Sequence, residues 1–168
     1  RIQDLAVKDE LPGLYSRRHA MELLAKACGQ ARRGAFLLAV GFVDLDHFKR
    51  INDRHGHLFG DQVLVRFAEL TRRYLGDKDM AARLGGEEFL IMLPVMDMEQ
   101  ALTSVERLMS ALRAQRFMAA PALEVTASVG LTVVGHGESP DEVLVRADRL
   151  LYQAKAAGRD RIITAGPP

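Results

Sequence analysis

The sequence contains little cysteine and no large excess of either charge. Its single cysteine, Cys28, cannot form an internal disulfide and offers no ligand spacing for zinc, which favours a reducing compartment. The 23 Lys and Arg side chains nearly balance the 22 Asp and Glu side chains, so the net charge of +1 provides no overall field for nucleic acid or an anionic membrane. Any phosphate group must therefore be bound by a local set of residues.

Long hydrophobic runs and a secretory signal are also lacking. The longest apolar run, "AFLLAVGFV", is too short to span a bilayer, and "RIQDLAVKDE" at the start lacks the pattern of a signal peptide. We therefore expect a cytoplasmic location and no membrane contact from this fragment. Because Ile2 and Leu5 have helical spacing, we predict that residues 1–10 are an incoming linker helix from a larger protein and that residues 11–168 form the domain.

The remaining composition is that of one globular domain. Of 168 residues, 48% are hydrophobic and 27% charged, which is enough to build a core. Hydrophobic spacing predicts helices at 16–29, around 63–74, around 102–112 and at 140–158, and strands at 36–43, 80–84, 88–93, 123–133 and 162–163. This order predicts an α/β (α+β) domain with a mostly antiparallel central sheet flanked by helices, of ferredoxin-like or palm type. Strand 36–43 should be central, and strand 123–133 should be covered on one face only.

The stretch "ARLGGEEFLIML" at residues 82–93 combines a turn signal with paired acids. Gly85 and Gly86 between apolar strands predict a tight hairpin, and Glu87 and Glu88 lie at its tip. A solvated turn would explain this stretch by itself equally well. The question that it raises is which positive partner compensates the adjacent carboxylates.

A second acidic segment follows the predicted central strand. The period of a strand places Asp44 and Asp46 on one face, while the Leu45 side chain points away and its carbonyl can still reach a cation. If the hairpin pairs beside this strand, the acids of both segments converge. Carboxylate and carbonyl oxygens suit hard divalent ions, so Mg²⁺ is the predicted positive partner.

Further polar residues suggest a nucleotide. Asn52 and Asp61 offer the amide and carboxylate acceptors that can read a guanine edge, although a turn residue and a helix cap are the alternatives. Lys155 and Arg159 are four residues apart near the end of the last helix, where both could face one phosphate chain. Cations are also favoured at any helix carboxyl end, which is the alternative for this pair.

Several motifs in order resemble the GGDEF-type diguanylate cyclases, here with a GGEEF variant. The resemblance covers nearly the whole chain and rests on "DELPGLYSRR", "FVDLDHFKRINDRHGHLFGD", "RLGGEEF", "ASVGL" and "LYQAKAAGRDRI". It implies the nucleotidyl cyclase palm fold and the condensation of two GTP molecules into cyclic di-GMP and two pyrophosphates. It also implies a homodimer with one GTP per subunit and an upstream sensory or regulatory domain.

The resemblance also implies roles for individual residues. The Mg²⁺ ligands, with Mn²⁺ as an alternative ion, would be Asp44, Glu87 and the Leu45 carbonyl, and Asp46 or Glu88 would help to hold a second ion. The catalytic motif would be Gly85, Gly86, Glu87 and Glu88, in which Glu87 assists deprotonation and the glycine backbone lets the α-phosphate approach closely. The guanine-binding residues would be Asn52 and Asp61. The phosphate contacts would be Lys49, Lys155 and Arg159.

Two other functional classes compete with this interpretation. A catalytically inactive module that binds GTP would use the same fold, but here the turn motif and Asp44 are intact. A ferredoxin-like RNA-binding domain is disfavoured, because such domains need basic faces with exposed aromatic residues and this nearly neutral chain is 6% aromatic.

One departure from the family pattern concerns feedback inhibition. Many members carry an Arg-x-x-Asp product site shortly before the turn, where this chain has Gly76 and Asp79 at the ends of the motif. Glycine cannot supply the bidentate guanidinium group of such a site, so we predict weak or no inhibition by product there.

Overall fold

The computed structural model describes residues 7–31 and 36–167, which form five helices and five strands. The helices are α1 (Arg17–Ala31), α2 (Phe48–His55), α3 (His57–Tyr74), α4 (Met98–Ala114) and α5 (Pro140–Ala156). The strands are β1 (Leu37–Leu45), β2 (Met80–Gly85), β3 (Glu88–Val95), β4 (Ala127–Val133) and β5 (Arg161–Ala165). Within these described ranges, no helix has the length and apolar character needed to cross a membrane.

The strands form one mixed sheet in the order β2-β3-β1-β4-β5. All neighbouring pairs are antiparallel except β4 and β5, which are parallel. The mostly antiparallel sheet predicted from the sequence is therefore confirmed. Strand β1 is central, and its register places Asp44 opposite Glu88 of β3 and opposite Ser128 of β4.

Apolar side chains fill both faces of the sheet, which explains the continuous apolar run of β1. Val43 and Leu45 pack on the side of α2, α3 and α4, where the large ring of Phe67 is buried. Leu38 and Val40 pack on the side of α1, against residues such as Leu24. Burial of alternate residues on opposite sides follows from the two-residue period of a strand. The prediction that this strand is central is confirmed.

Strand β4 corrects two predictions. It begins at Ala127 rather than at residue 123, and every one of its residues is buried, so it is covered on both faces rather than on one. The face that alternation assigned to solvent carries Ser128, Gly130 and Thr132, and α5 packs directly on it. Small side chains permit this close packing of helix on strand, whereas the sequence pattern alone resembled a half-exposed strand.

The polar segment after β1 also differs from expectation. No helix was predicted for residues 48–55, but this glycine-containing segment forms α2 and the start of α3, separated at Gly56 with φ +91°. Phe48 and Ile51 are buried at helical spacing among the polar residues. Since α3 begins at His57, Asp61 lies inside this helix, and the alternative of a helix cap is wrong for it.

Helix α5 is fixed at its amino end by a capping box. The Ser139 hydroxyl accepts from the Glu142 N–H at 3.2 Å, and the Ser139 N–H donates to the Glu142 carboxylate at 2.9 Å. Further along, buried Arg146 forms an ion pair with Glu138 and donates to the Val133 carbonyl at 2.7 Å. The hydrogen bond from this guanidinium is the main reason that the pKa of Glu138 lies below its usual value. These contacts hold α5 against the sheet and set the position of its far end.

The predicted linker helix falls partly on residues 1–6, which lie outside the described residues. Residues 7–10 are not helical. Lys8 forms an isolated bridge with Tyr15, and the Asp9 carboxylate lies 3.5 Å from the Arg83 guanidinium. This segment is thus attached to the domain through β2.

Candidate active site

The carboxylate of Asp44 lies beside the ammonium group of Lys155 at one end of the sheet. Asp44 is 5% exposed, and its Oδ2 accepts a hydrogen bond from Lys155 Nζ in an ion pair. Lys155 comes from the last turn of α5, 111 positions along the chain. A buried carboxylate is strongly unfavourable without a partner, so this lysine stabilises the charge of Asp44 when no metal is bound.

The hairpin brings Glu87 and Glu88 to the same place. Glu88 pairs directly with Asp44 across β1 and β3, and the Leu45 N–H donates to the Glu87 carbonyl at 3.2 Å. Burial raises the pKa of Glu87, and the charges of Asp44 and Glu88 raise it further, whereas Lys155 lowers it. The hairpin therefore pairs beside β1, which is the condition under which the acids were expected to converge, and the two acidic segments meet.

The turn itself leaves an open surface above its backbone. Gly85 pairs with Glu88, so Gly86 and Glu87 are the loop residues, and Gly86 has φ +52°, a left-handed conformation that glycine adopts readily. A Cβ placed on Gly85 or Gly86 would meet no protein atom within 4 Å. The glycines are thus not required by packing inside the domain. They leave the backbone of the turn open to its surroundings.

The donor set at this site fits a magnesium ion that is also held by substrate. Among the described residues, no group of three or more His, Cys, Asp or Glu side chains is arranged to hold a metal ion. The two carboxylates of Asp44 and Glu87 are compatible with Mg²⁺, which typically takes one or two carboxylates and completes its shell with waters and phosphates. The Leu45 side chain is buried in the core, so this residue can offer only its backbone to a ligand.

Asn52 presents an unused acceptor. Its Oδ1 is buried and has no hydrogen-bond partner within the part of the chain that the structure describes. An ideal Cβ on Gly60 would lie 1.8 Å from this oxygen, so the amide fills the space that a side chain at position 60 would need. Asp61 follows directly on α3 and is exposed. An unpaired buried acceptor is unfavourable, and a ligand N–H would satisfy it.

The structure places the two remaining predicted cations differently. Lys49 is exposed on α2, and its ammonium group pairs with Asp53 at 3.0 Å. Arg159 lies beyond the end of α5, so the argument that helical spacing aligns it with Lys155 is wrong. Its φ is +64°, and its N–H donates to the Ala154 carbonyl at 3.0 Å. The loop, rather than the helix, sets the direction of Arg159.

Asp46 has a set of partners that sequence spacing did not reveal. Its carboxylate accepts from Thr126 Oγ1 at 2.7 Å, from Ser128 Oγ at 2.6 Å and from the Asp160 N–H at 2.9 Å. These partners are 80 or more positions away in the chain, so no local pattern could identify them.

The sequence analysis also missed Gly60, although glycine inside a helical segment is itself a signal because it destabilises helices.

The mixed sheet, its helices on both faces and the acidic cluster at the end of β1 together define a nucleotidyl cyclase palm domain. The family model described as "Diguanylate cyclase, GGDEF domain" matches residues 6–161, and the chain belongs to this family. The resemblance found in the sequence is thereby confirmed.

Three relatives illustrate the match. The chain is 41% identical over 161 residues to the diguanylate cyclase DgcP of Pseudomonas aeruginosa. The aligned region covers 95% of this chain and 24% of DgcP. The fold of this chain is similar to that of the coiled coil and GGDEF domain of DgcB from Caulobacter crescentus in complex with c-di-GMP, with a TM-score of 0.90 and 30% identity. The match covers 98% of this chain and 88% of the DgcB chain. It is also similar to the active GGEEF domain of a Vibrio cholerae diguanylate cyclase, with a TM-score of 0.82, 30% identity, and coverage of 89% and 96%.

Proposed function

We propose that this domain condenses two GTP molecules into cyclic di-GMP and two pyrophosphates. The observation that carries the proposal is the meeting of Asp44, Glu87 and Lys155, from β1, the hairpin and α5, below an open glycine backbone. The related Vibrio cholerae domain with a GGEEF motif is described as active, which supports catalysis by this variant of the turn. The acids and the lysine supply the charges needed around a phosphate under attack.

The residues of this chain would bind and orient GTP. Asn52 and Asp61 would accept hydrogen bonds from the guanine edge, since the free Asn52 oxygen needs a donor. Lys155 and Arg159 would bind the terminal phosphates, with Lys49 near them, and Lys155 would then exchange Asp44 for phosphate oxygens. Gly86 would allow the α-phosphate to approach the backbone. When bound by Asp44, Glu87 and the Leu45 carbonyl, Mg²⁺ would neutralise the phosphates.

The chemical step forms one bond and breaks another at each α-phosphorus. The ribose 3′-oxygen of one GTP bonds to the α-phosphorus of the other, and the bond to pyrophosphate breaks in line with it. Glu87 would accept the proton of the 3′-hydroxyl as a general base. Two such steps close the ring.

The reaction needs two domains. Each holds one GTP, so two sites must face each other about a two-fold axis, and a monomer would be inactive. The chain spans about a quarter of DgcP. We propose that a sensory or regulatory region in the complete protein controls this pairing.

The direct test is incubation with GTP and Mg²⁺ at several protein concentrations, followed by chromatography of the products. We expect cyclic di-GMP and pyrophosphate, with a specific activity that rises with protein concentration. Binding of a non-hydrolysable GTP analogue without product at any concentration would instead show the inactive GTP-binding module. Absence of both binding and product would contradict either function.

Gly60→Ala tests the packing that positions Asn52, a proposed guanine-binding residue. Alanine would normally stabilise the interior of α3 by about 1 kcal/mol, but its Cβ would displace the Asn52 amide. We expect the domain to fold and its affinity for a GTP analogue to fall about tenfold, the equivalent of one hydrogen bond. Calorimetry should show the same loss in Asn52→Ala and no further loss in the double variant. Unchanged affinity in Gly60→Ala would contradict the role of Asn52.

The absent product site gives a second pair of variants. Asp79 accepts from the Gly76 N–H at 2.7 Å, and a Cβ on Gly76 would lie 3.3 Å from its carboxylate, close enough for a guanidinium to share a ligand with Asp79. We expect calorimetry to detect little cyclic di-GMP binding at Asp79 in the natural sequence. Gly76→Arg should create binding and product inhibition, while Gly76→Lys, which lacks the bidentate group, should do so more weakly. Tight binding that is abolished by Asp79→Ala in the natural sequence would refute the prediction.

A further inference from the structure

Asp46 is a buried acid whose acceptor positions are largely occupied by the protein itself. The residue is 5% exposed, and Thr126, Ser128 and Asp160 donate three hydrogen bonds to its carboxylate. A carboxylate has about four acceptor positions, so little capacity is left for a metal ion. Binding an ion here would displace donors and leave them unpaired in a buried place, which is unfavourable.

The loop after α5 has an unusual backbone. Gly158, Arg159 and Asp160 have φ values of +121°, +64° and +47° in succession. Residues with a Cβ adopt such values only where the surrounding structure holds them. Two hydrogen bonds from backbone N–H groups act as anchors, from the Arg159 N–H to the Ala154 carbonyl at 3.0 Å and from the Asp160 N–H to Asp46 Oδ2 at 2.9 Å. Two exposed side chains also contact the loop: Arg113 Nε donates to the Asp160 carboxylate at 2.9 Å, and Arg161 Nε donates to the Arg159 carbonyl at 2.9 Å.

Arg159 lies between these two anchors. The anchor on Ala154 belongs to α5 itself, whereas the anchor on Asp46 connects the loop to the end of β1. The two acids at the end of β1 thus act in different ways on Lys155 and Arg159, two of the proposed phosphate-binding cations. Asp44 contacts the Lys155 ammonium directly, and Asp46 holds the backbone next to Arg159.

We propose that Asp46 is a positioning residue that sets the direction of Arg159 toward the phosphate chain, and that it is not a ligand of a second divalent ion. The inference rests on the proposed function, because it takes Arg159 as a contact of GTP. It assigns to Asp46 an effect on nucleotide affinity, whereas a metal ligand would affect the requirement for Mg²⁺.

Two substitutions at this position separate the roles. Asp46→Ala removes both acceptors, so we expect the affinity for a GTP analogue to fall about tenfold, as for the loss of one ionic contact. Asp46→Asn keeps one oxygen for the Asp160 N–H and can turn its amide toward the Ser128 hydroxyl, so its affinity should stay within about threefold of the natural protein. A metal ligand would lose as much function in Asp46→Asn as in Asp46→Ala.

The Mg²⁺ concentration for half-maximal activity at saturating GTP gives the second readout. We expect it to be unchanged in Asp46→Asn and raised in Asp44→Asn, the control that removes a proposed metal ligand. A raised requirement in Asp46→Asn equal to that of Asp44→Asn would overturn the proposal.

A double-mutant cycle tests the path through Arg159. Asp46→Ala and Arg159→Ala should each lower the affinity for the GTP analogue. The double variant should bind the analogue as tightly as the single variant with the lower affinity. Additive losses would show that Asp46 acts by another route and would refute the proposal.

If Asp46→Ala fails to fold, amide hydrogen exchange in the natural protein gives the answer. The Asp160 N–H should stay protected when Mg²⁺ is added, whereas release of this N–H would show that Asp46 turns to the ion. Absence of GTP-analogue binding by the natural protein would refute the proposed function itself. Binding without coupling of Asp46 to Arg159 would refute the present inference alone.

Discussion

Replacing Glu87 with Gln should abolish cyclic di-GMP formation while the domain remains folded. The substitution removes one charge and almost no volume at the tip of the hairpin. It takes away both a proposed metal ligand and the proposed proton acceptor, so we expect the rate to fall by about a thousandfold or more. Product formation from GTP and Mg²⁺, measured by chromatography, is the readout.

The same variant should not lower the stability of the metal-free protein. Burial and the charges of Asp44 and Glu88 raise the pKa of Glu87, so the fold favours the protonated side chain. This contribution is present at acid pH and is lost as the pH rises through the raised pKa, when the carboxylate ionises. Glutamine stays neutral at every pH. We therefore expect equal stability of the two proteins at acid pH and a slightly higher melting temperature of Glu87→Gln at neutral pH.

Glu106→Gln is a matched control for this experiment. Glu106 is exposed midway along α4, outside the acidic cluster, and its substitution makes the same change of charge and volume. It should leave both activity and melting temperature unaltered. A fully active Glu87→Gln variant would refute the catalytic assignment, and a strongly destabilised one would refute the electrostatic account of the site.

Gly130→Ala should destabilise the domain more than other single-methyl additions. Its Cβ would lie 2.3 Å from the Ala147 carbonyl oxygen and 2.3 Å from the Leu151 nitrogen, which are backbone atoms of α5. Backbone cannot move aside as a side chain can, so the helix must separate from β4. We expect a loss of about 3 kcal/mol in the free energy of unfolding, the upper part of the range for overpacked cores. Urea unfolding followed by circular dichroism measures this loss.

The displacement should also reach the active site. Helix α5 carries Lys155, which contacts Asp44, so a shift of the helix separates this pair. We therefore expect reduced activity in the fraction of Gly130→Ala that folds. The reduction should persist at temperatures well below its melting transition.

Gly41→Ala provides the control in the neighbouring strand. There the added Cβ would meet only side-chain atoms, at 3.0 Å from Ile91 Cγ1 and 3.3 Å from Leu131 Cδ1, and these groups can adjust. We expect a loss below about 1 kcal/mol. Equal losses in the two variants would show that close packing of α5 on β4 is not the reason for glycine at position 130.

Local patterns predicted those elements whose signals are local. The apolar run of β1, the capping box at Ser139 and the glycines of the hairpin each identified an element that the structure contains. The extent of β4 and the helical form of residues 48–55 were not predicted. In β4 the small residues that face α5 resemble a solvent-facing pattern, and in α2 two buried residues are hidden among charged ones.

The candidate site was predictable where one strand pairing brings its residues together. Asp44 and Glu87 lie at the ends of neighbouring strands, so their convergence followed once the hairpin was placed beside β1. The ion pair of Asp44 with Lys155 was not foreseen, because Lys155 reaches Asp44 from a different element. The placement of Arg159 on the last helix was wrong, since the helix ends before this residue.

By itself, the sequence determined the family, the order of the elements and the acidic residues at the end of β1, because motifs and the periodicity of apolar residues are properties of short segments. Only the tertiary structure decided that Lys155 neutralises Asp44, that Asp46 holds the loop of Arg159, and that Gly60 and Gly130 leave room for an amide and a helix. These contacts depend on the packing of segments against one another, and packing distances of a few ångströms are not encoded in the spacing of residues along the chain.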